Sequence, residues 1–236
     1  MIVYGRNPVR EAIRGSRTVT RVWATANARR EPWLAQLSRI TSGASADELE
    51  RICGSAEHQG VCAEVSPFRY AAQDELLALP EPMIVALDQV QDPHNLGAIA
   101  RSAECAGASG LVVPERRSAE VTPAVCKASA GAVEHLPIAK VRNLADFLTS
   151  AKRAGVWCYG ADQSGAADYA TVDFSGPLVL VLGSEGRGLR PRVAGACDVL
   201  VSIPVRGMIE SLNVSAAAAV LIFAAARDRQ GNLHGA

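Results

Sequence analysis

From residue 83 onward, the chain alternates short apolar runs with segments whose apolar residues recur at helical spacing. The runs lie at 83–87, 110–113, 156–159, 178–182 and 199–203, and the helical segments at 96–106, 121–130, 144–154 and 212–226. Strands that are buried on both faces of a sheet have such continuous apolar runs. The pattern predicts an α/β fold with a parallel sheet covered by helices on both faces.

The residues before this region predict a smaller α/β unit. Helices are expected at 7–13, 33–41 and 46–53, and strands at 20–24 and 60–65. A proline-rich and acidic stretch follows this unit and is typical of a connection between domains. We therefore expect a first domain at 1–66, a linker at 67–82 and a second domain at 83–236.

Composition excludes several classes of protein. Hydrophobic residues make up 49% of the 236 positions, enough for a sizeable core. The longest apolar run, 216–226, is far shorter than the ~20 residues of a membrane span, and the N-terminus lacks the features of a signal peptide. The six cysteines and four histidines are scattered. We expect a cytoplasmic protein without a metal site, in which most cysteines are small buried apolar residues.

Positive charge is concentrated near the N-terminus, although the whole chain has 24 basic and 24 acidic residues. In the first thirty residues, seven arginines stand against a single acidic residue, Glu11. Guanidinium groups bind phosphate in bidentate fashion, so this segment suits a nucleic-acid backbone. Arginine also outnumbers lysine 21 to 3, so a solvated helix face explains the charge equally well.

Ligands of parallel sheets bind beyond the carboxyl ends of the strands, so the loops there are candidates for chemistry. The first loop, DQVQDPHNLGAIARSA at 88–103, contains Asn95, which can cap a helix, and Arg101, a charge among small apolar neighbours. We expect the Arg101 guanidinium to reach along the helix toward the loop. The alternatives are an ordinary N-cap for Asn95 and a surface arginine for Arg101.

Two further loops follow later strands. The second, LGSEGRGL at 182–189, has three glycines but neither the dinucleotide-binding nor the P-loop spacing, and Glu185 would repel phosphate. The third, IPVRGMIESLNVS at 203–215, leads into an alanine-rich helix that Ser211 or Asn213 can cap. Taken singly, each loop is explained by turn geometry or helix capping.

Taken in order, the three loops resemble the motifs of the SpoU (TrmH-like) RNA ribose 2′-O-methyltransferases of the SPOUT superfamily. The segments YGRNPVREAI, EHQGV, PERRS and KASAGA are similar to the branch that methylates a guanosine of large-subunit ribosomal RNA. The resemblance implies a small L30e-like α/β domain that binds RNA, followed by a trefoil-knotted, parallel-sheet methyltransferase domain. It also implies a homodimer that uses S-adenosylmethionine and acts on 23S rRNA, with no membrane and no metal.

The resemblance also assigns roles to residues. Cofactor contacts would come from Leu182, Gly183, Ile203, Val205 and Leu212. The catalytic group would be Arg101 with Asn95, Glu185, Ser211 and Asn213, and RNA contacts would come from Arg6, Arg10, His58, Gln59 and Arg117. Val205 departs from the methionine that is common in the family, a change that a main-chain contact tolerates.

The chemistry leaves the role of Arg101 open. Arginine stays protonated in proteins, so it is a poor general base. It could hold a phosphate and stabilise the developing alkoxide, which we favour, or lose its proton transiently beside the sulfonium. The alternatives for the whole protein are a methyltransferase acting on tRNA or on another rRNA nucleotide, such as a resistance methylase, and a non-catalytic L30e-type RNA-binding protein.

Overall fold

A computed structural model describes residues 1–209 and 211–233, the last four of them by backbone alone. The predicted domain limit at 236 and Glu210 of the third loop therefore lie outside the described residues. The N-terminal region forms a four-stranded sheet in the order β1-β4-β2-β3. Its strands are Ile2–Tyr4 (β1), Val19–Ala24 (β2), Thr41–Gly43 (β3) and Val61–Val65 (β4), and its helices are Arg6–Arg14 (α1), Pro32–Ala35 (α2) and Ala46–Cys53 (α3).

The remainder forms a seven-stranded sheet in the order β7-β6-β5-β10-β8-β11-β9, and every described pair in it is parallel. Its strands are Met83–Asp88 (β5), Gly110–Pro114 (β6), Ile138–Val141 (β7), Trp157–Ala161 (β8), Ala167–Asp168 (β9), Leu178–Gly183 (β10) and Val199–Ser202 (β11). The associated helices are Gln73–Leu77 (α4), Pro93–Cys105 (α5), Pro123–Ala128 (α6), Leu144–Arg153 (α7), Pro191–Ala194 (α8) and Val214–Leu233 (α9).

Helices cover both faces of the large sheet, as the apolar runs predicted. In β5, Val85 and Leu87 belong to the cluster that includes α5 and α9, whereas Ile84 and Ala86 belong to the cluster that includes α7 and α8. Successive side chains of a strand point to opposite faces, so the two clusters are the two faces of one sheet. The predicted α/β class with a parallel sheet is confirmed.

Several local expectations were wrong. The helix expected at 33–41 is limited to α2, because Thr41 pairs with Val22 and the chain enters β3 there. The strand β7 was not anticipated, since its run is short and contains Lys140. By contrast, the linker at 67–82 stays a prediction. Its acidic, helix-like stretch contains α4, whose Leu76 is buried, and Ala71 bridges to Ala139 of β7.

Three of the six cysteines are buried, and Cys53 and Cys197 are half-buried, so the expectation that most are buried is met only in part. Burial raises the pKa of the Cys62 and Cys158 thiols to about 12 and that of Cys126 to about 11. Cys105, at the end of α5, is exposed and is an exception. None of the described helices combines the length and hydropathy of a membrane span.

A buried ion pair joins the N-terminal region to the region of the large sheet. Arg17, two residues before β2, contacts Glu134 with Nε 2.8 Å from Oε2, and both side chains are almost fully buried. The same guanidinium lies over the ring of Phe68 and reaches Cys126. A pair that is removed from water in this way is strongly destabilised when one partner is lost. The contact therefore fixes the N-terminal sheet against the large domain.

We expect Arg17→Leu to lower the free energy of unfolding by about 3–5 kcal/mol, because Glu134 would remain buried without a partner. Denaturant unfolding measures this loss. Arg192→Leu removes a similar group from the exposed pair with Asp146 and should cost at most about 1 kcal/mol. The double variant Arg17→Leu/Glu134→Leu should regain most of the stability. A single Arg17→Leu variant as stable as the Arg192→Leu control would contradict the prediction.

Candidate active site

The site lies where two neighbouring strands end. Strands β5 and β10 run side by side, with Asp88 opposite Gly183 at their carboxyl ends. After β5 the chain continues to β6 on one side, whereas β8 flanks β10 on the other. Such a switch in strand order opens a crevice between the loops of adjacent strands. The first and second loops therefore begin next to each other, at the carboxyl ends of β5 and β10.

A buried carboxylate fastens these two loops together. The side chain of Asp88 is fully buried and accepts hydrogen bonds from the backbone N and the Nε of Arg190, at 2.9 and 2.8 Å. The charge is paired and hydrogen-bonded at both oxygens, as a buried charge requires. The end of the second loop is thus tied to the end of β5.

The glycines of the second loop have distinct roles. A Cβ on Gly183 would lie 2.1 Å from the carbonyl carbon of Gly188, so the loop closes on itself only without a side chain. Gly186 and Gly188 have φ of 76° and 63°, the left-handed region that glycine adopts freely. The backbone N of Gly188 donates to the carbonyl of Ser184 at 2.9 Å. The resulting tight turn presents Glu185 at its tip.

A cavity of about 360 Å³ opens between the second and third loops. Every residue predicted to contact the cofactor lines it: Leu182, Gly183, Ile203, Val205 and Leu212. Ser211 also lines it, as do Asp162 and Gln163, which directly follow β8 and were not predicted. Their position after a predicted strand could have marked them as ligand-binding candidates. The volume is within the ~300–1,000 Å³ typical of small-molecule sites.

One side-chain amide joins all three loops. Nδ2 of Asn213 donates to Oδ1 of Asn95 and to Oε1 of Glu185, both at 3.1 Å. Oδ1 of Asn213 accepts from the backbone N of Ser215 at 2.8 Å, which caps α9. Asn213 is therefore both the helix cap and the bridge between the other two polar residues, and the two interpretations are compatible.

The capping role expected for Asn95 was wrong. The cap of α5 is Asp92, whose Oδ1 accepts from the backbone N of His94 at 2.8 Å, and Pro93 is the first helical residue. Proline suits that position because it lacks the N–H that would have no partner there. Asn95 is instead buried in the first turn, where its side chain is free to bind Asn213.

Arg101 lies apart from this cluster. It is exposed, lines neither of the two cavities at this edge and belongs to no ion pair in the described part of the chain. It follows Asn95 by six helical positions, which corresponds to about 9 Å of rise and about 120° of rotation. Among the described residues, no ion pair joins the Arg101 guanidinium to the cluster of its own chain, and its predicted reach toward the loop stays a prediction.

The predicted RNA-binding residues differ in how exposed they are and in whether they already have partners within the chain. Arg6 pairs with Glu31, and Arg10 with Glu11. His58 is buried and accepts from the backbone N of Gly60, while Gln59 is exposed and accepts from the backbone N of Arg6. The buried His58 side chain therefore stabilises the turn at Gly60.

Arg117 is exposed on the loop after β6 and has no ion pair among the residues that the structure describes. The same loop is held against the first loop by a hydrogen bond from the backbone N of Ala119 to the carbonyl of Val90, at 2.9 Å. Arg116 and Arg142 are also exposed in the loops that follow β6 and β7. Across residues 1–209 and 211–233, no group of His, Cys, Asp or Glu could hold a metal ion.

Comparison with known proteins gives consistent results. Residues 82–223 match the SpoU rRNA Methylase family, and residues 2–71 match the domain described as RNA 2′-O ribose methyltransferase substrate binding. A putative TrmH family tRNA/rRNA methyltransferase of Bacillus subtilis is 39% identical over 96% of this chain and 95% of its own.

Two solved structures are also similar. An AdoMet-bound rRNA methyltransferase from Sinorhizobium meliloti has a TM-score of 0.81 and 28% identity over 96% of this chain and 86% of its own. A TrmH/SpoU tRNA modifying enzyme from A. aeolicus has a TM-score of 0.59 and 29% identity, and it covers 68% of this chain and 82% of its own.

The bridge at Asn213 can be tested by a change that keeps the helix cap. Asn213→Asp retains the capping oxygen but removes both N–H donors and adds a carboxylate beside Glu185. We expect the free energy of unfolding to fall by roughly 1–3 kcal/mol, because Asn95 loses its donor. Denaturant unfolding provides the measurement.

Asn143→Asp is the matched control, since Asn143 caps α7 through the same atom. Aspartate caps helices as well as asparagine does, so this variant should be as stable as the parent protein. Equal stability of the two variants would show that the bridge contributes nothing.

Proposed function

The chain belongs to the SpoU rRNA methylase family, and we propose that it transfers the methyl group of S-adenosylmethionine to the ribose 2′-oxygen of a guanosine in large-subunit ribosomal RNA. The observation that carries this proposal is the Asn95–Asn213–Glu185 cluster at the mouth of a cavity lined by all five predicted cofactor contacts.

The cavity suits the cofactor in shape and chemistry. Val201, Ile203, Val205 and Leu212 supply apolar surface, and the glycine-rich turn presents backbone groups rather than side chains. When bound, S-adenosylmethionine supplies a methyl group on a positively charged sulfur. A carboxylate at the rim, Glu185, favours a cation and disfavours phosphate. Leu182, Gly183 and Ile203 would hold the cofactor through their main chains.

The polar cluster suits a ribose hydroxyl. Glu185 uses one oxygen for Asn213 and can accept a hydrogen bond from the hydroxyl with the other, which would orient the attacking oxygen. The hydroxyl loses its proton as the methyl group is transferred. A fixed positive charge beside that oxygen would stabilise the transition state, and this is the part we assign to Arg101.

A homodimer would complete the site. Met208 and Ile209 of the third loop are 99% and 75% exposed, and Phe223 of α9 is half exposed, so both the third loop and α9 carry uncovered apolar side chains. A second copy covers such surface when two identical patches meet. Because Arg101 lies outside its own cluster, we propose that it acts at the cavity of the partner subunit. The knot, the domain limits at 66 and 83 and a cytoplasmic location remain predictions.

Ribosomal RNA is the favoured substrate because of the N-terminal domain. The similarity to the rRNA methyltransferase extends over 96% of this chain, whereas the similarity to the tRNA modifying enzyme extends over 68%. The exposed arginines 116, 117 and 142 follow strands at the same sheet edge as the cluster. They could contact phosphates on either side of the acceptor nucleotide.

The proposed reaction is tested with methyl-labelled S-adenosylmethionine and unmodified 23S rRNA, followed by digestion to nucleosides. We expect the label in 2′-O-methylguanosine, with no divalent ion needed beyond what RNA folding requires. Transfer RNA is the parallel substrate. Label on a base, or on tRNA alone, would contradict the proposal.

The role of Arg101 is tested by Arg101→Ala, which should lower kcat by about 10²-fold or more while leaving cofactor affinity unchanged. Arg101→Lys should restore little, because an ammonium cannot reproduce a bidentate contact. Single-turnover kinetics and calorimetry measure the two quantities.

Mixed dimers distinguish the two subunits. In a heterodimer of Arg101→Ala and Asn213→Asp chains, a partner-supplied arginine leaves one of the two sites intact, so about half of the parent rate should return. If Arg101 serves its own chain, both sites are defective and the heterodimer is inactive.

A further inference from the structure

A second cavity, of about 380 Å³, lies beside the first. It is lined by Gln89, Val90, Gln91, Asp92, Asn95, Ser184, Glu185, Arg187 and Val214. Four of these residues, Ser184, Glu185, Arg187 and Val214, also line the first cavity. The two spaces therefore meet at Glu185, next to the amide of Asn213.

The wall of this cavity contains a residue in an unusual conformation. Gln89 has a φ of 63°, which is uncommon and strained for a residue with a side chain. The next residue is firmly held, because Val90 is buried and its carbonyl accepts from the backbone N of Ala119. Such strain persists where the surrounding structure imposes it, and it is frequent at ligand sites.

The carboxamide of Gln89 has no hydrogen-bond partner within the described residues, although the residue is only partly exposed. Gln91, two positions on, lines the cavity as well. A carboxamide offers a donor and an acceptor side by side, which suits the edge of a nucleic-acid base. The carboxamides of Gln89 and Gln91 take no part in the hydrogen bonds of Asn213 that link the three loops, so they can bind a ligand.

We propose that the second cavity holds the base of the acceptor nucleotide and that Gln89 selects guanine there; the inference rests on the proposed ribose methylation. Enzymes that do chemistry on a base extrude its nucleotide and recognise the base by hydrogen bonds, and a pocket for the base would let a ribose methyltransferase select one nucleotide in the same way. A base in this cavity would bring its ribose to the rim that both cavities share, beside Glu185.

The polar groups of the cavity favour guanine. Its O6 and N1–H are complementary to the donor and the acceptor of the Gln89 carboxamide. Its 2-amino group is a further donor, and the cavity holds two carboxylates, of Asp92 and Glu185, that can accept from it. Adenine has an acceptor at N1 and no 2-amino group, and uracil has an oxygen where guanine has that amino group.

Binding can be measured without catalysis. The full-length protein is saturated with S-adenosylhomocysteine, and saturation-transfer NMR follows guanosine 5′-monophosphate, inosine 5′-monophosphate and adenosine 5′-monophosphate. Inosine differs from guanosine only in lacking the 2-amino group. We expect the guanine nucleotide to bind at least about tenfold more tightly than the other two. Gln89→Leu should abolish the preference over the adenine nucleotide, whereas the preference over the inosine nucleotide, which depends on the carboxylates of Asp92 and Glu185, should persist.

Gln73→Leu is the matched control, because Gln73 begins α4 and lines neither cavity. It should bind all three nucleotides as the parent protein does. Thermal melts of both variants verify that they are folded. Equal binding of the three nucleotides by the parent protein, or an unchanged preference for guanine over adenine in Gln89→Leu, would overturn the inference.

The reaction provides an independent readout. In 23S rRNA whose mapped acceptor guanosine is replaced by adenosine, the parent enzyme should lose about 10²-fold in kcat/KM, and Gln89→Leu should lose most of this discrimination. If the parent protein prefers the guanine nucleotide but methylates no rRNA, the proposed function fails and the base site stands. If it methylates rRNA and Gln89→Leu discriminates like the parent, the base site fails alone.

Discussion

The arrangement of the site depends on the side-chain amide of Asn213. An asparagine amide has two N–H donors, and here both are used, one for Asn95 and one for Glu185. The three residues come from loops far apart in the sequence, and this amide links them directly. Any displacement of the third loop therefore moves the carboxylate of the second and frees the buried amide of the first.

This bridge can form only because the sheet brings the loops to one edge and holds them there. Asp88 and Gly183 are neighbours in register, so the first two loops begin side by side. The Asp88–Arg190 pair then fixes the far end of the second loop, and Gly183 permits its tight closure. Glu185 is consequently presented by a rigid turn, which lowers the reorganisation needed when charge develops in a reaction.

The sequence was most informative where a single strong pattern determined the structure. The five apolar runs gave the main strands because only a sheet covered on both faces buries such runs. Helix limits were less certain: Asn95 and Asp92 can both cap, and the choice depends on the tertiary contact between Asn95 and Asn213. The short α2 depends likewise on the pairing of Thr41 with Val22, which no local pattern encodes.

The roles of the site residues could be predicted only in part, because each residue was considered by itself. For Asn213, capping and chemistry were treated as competing explanations, yet its oxygen caps α9 while its nitrogen binds the other two loops. Gln89 escaped notice because a glutamine in a polar loop carries no pattern; its significance depends on a backbone angle and on the cavity that it lines. Arg101 was recognised from its motif, but its distance from Asn95 follows only from helix geometry. The proposal that a second chain brings a cluster to Arg101 follows from this separation, because Arg101 is exposed and lines neither cavity of its own chain.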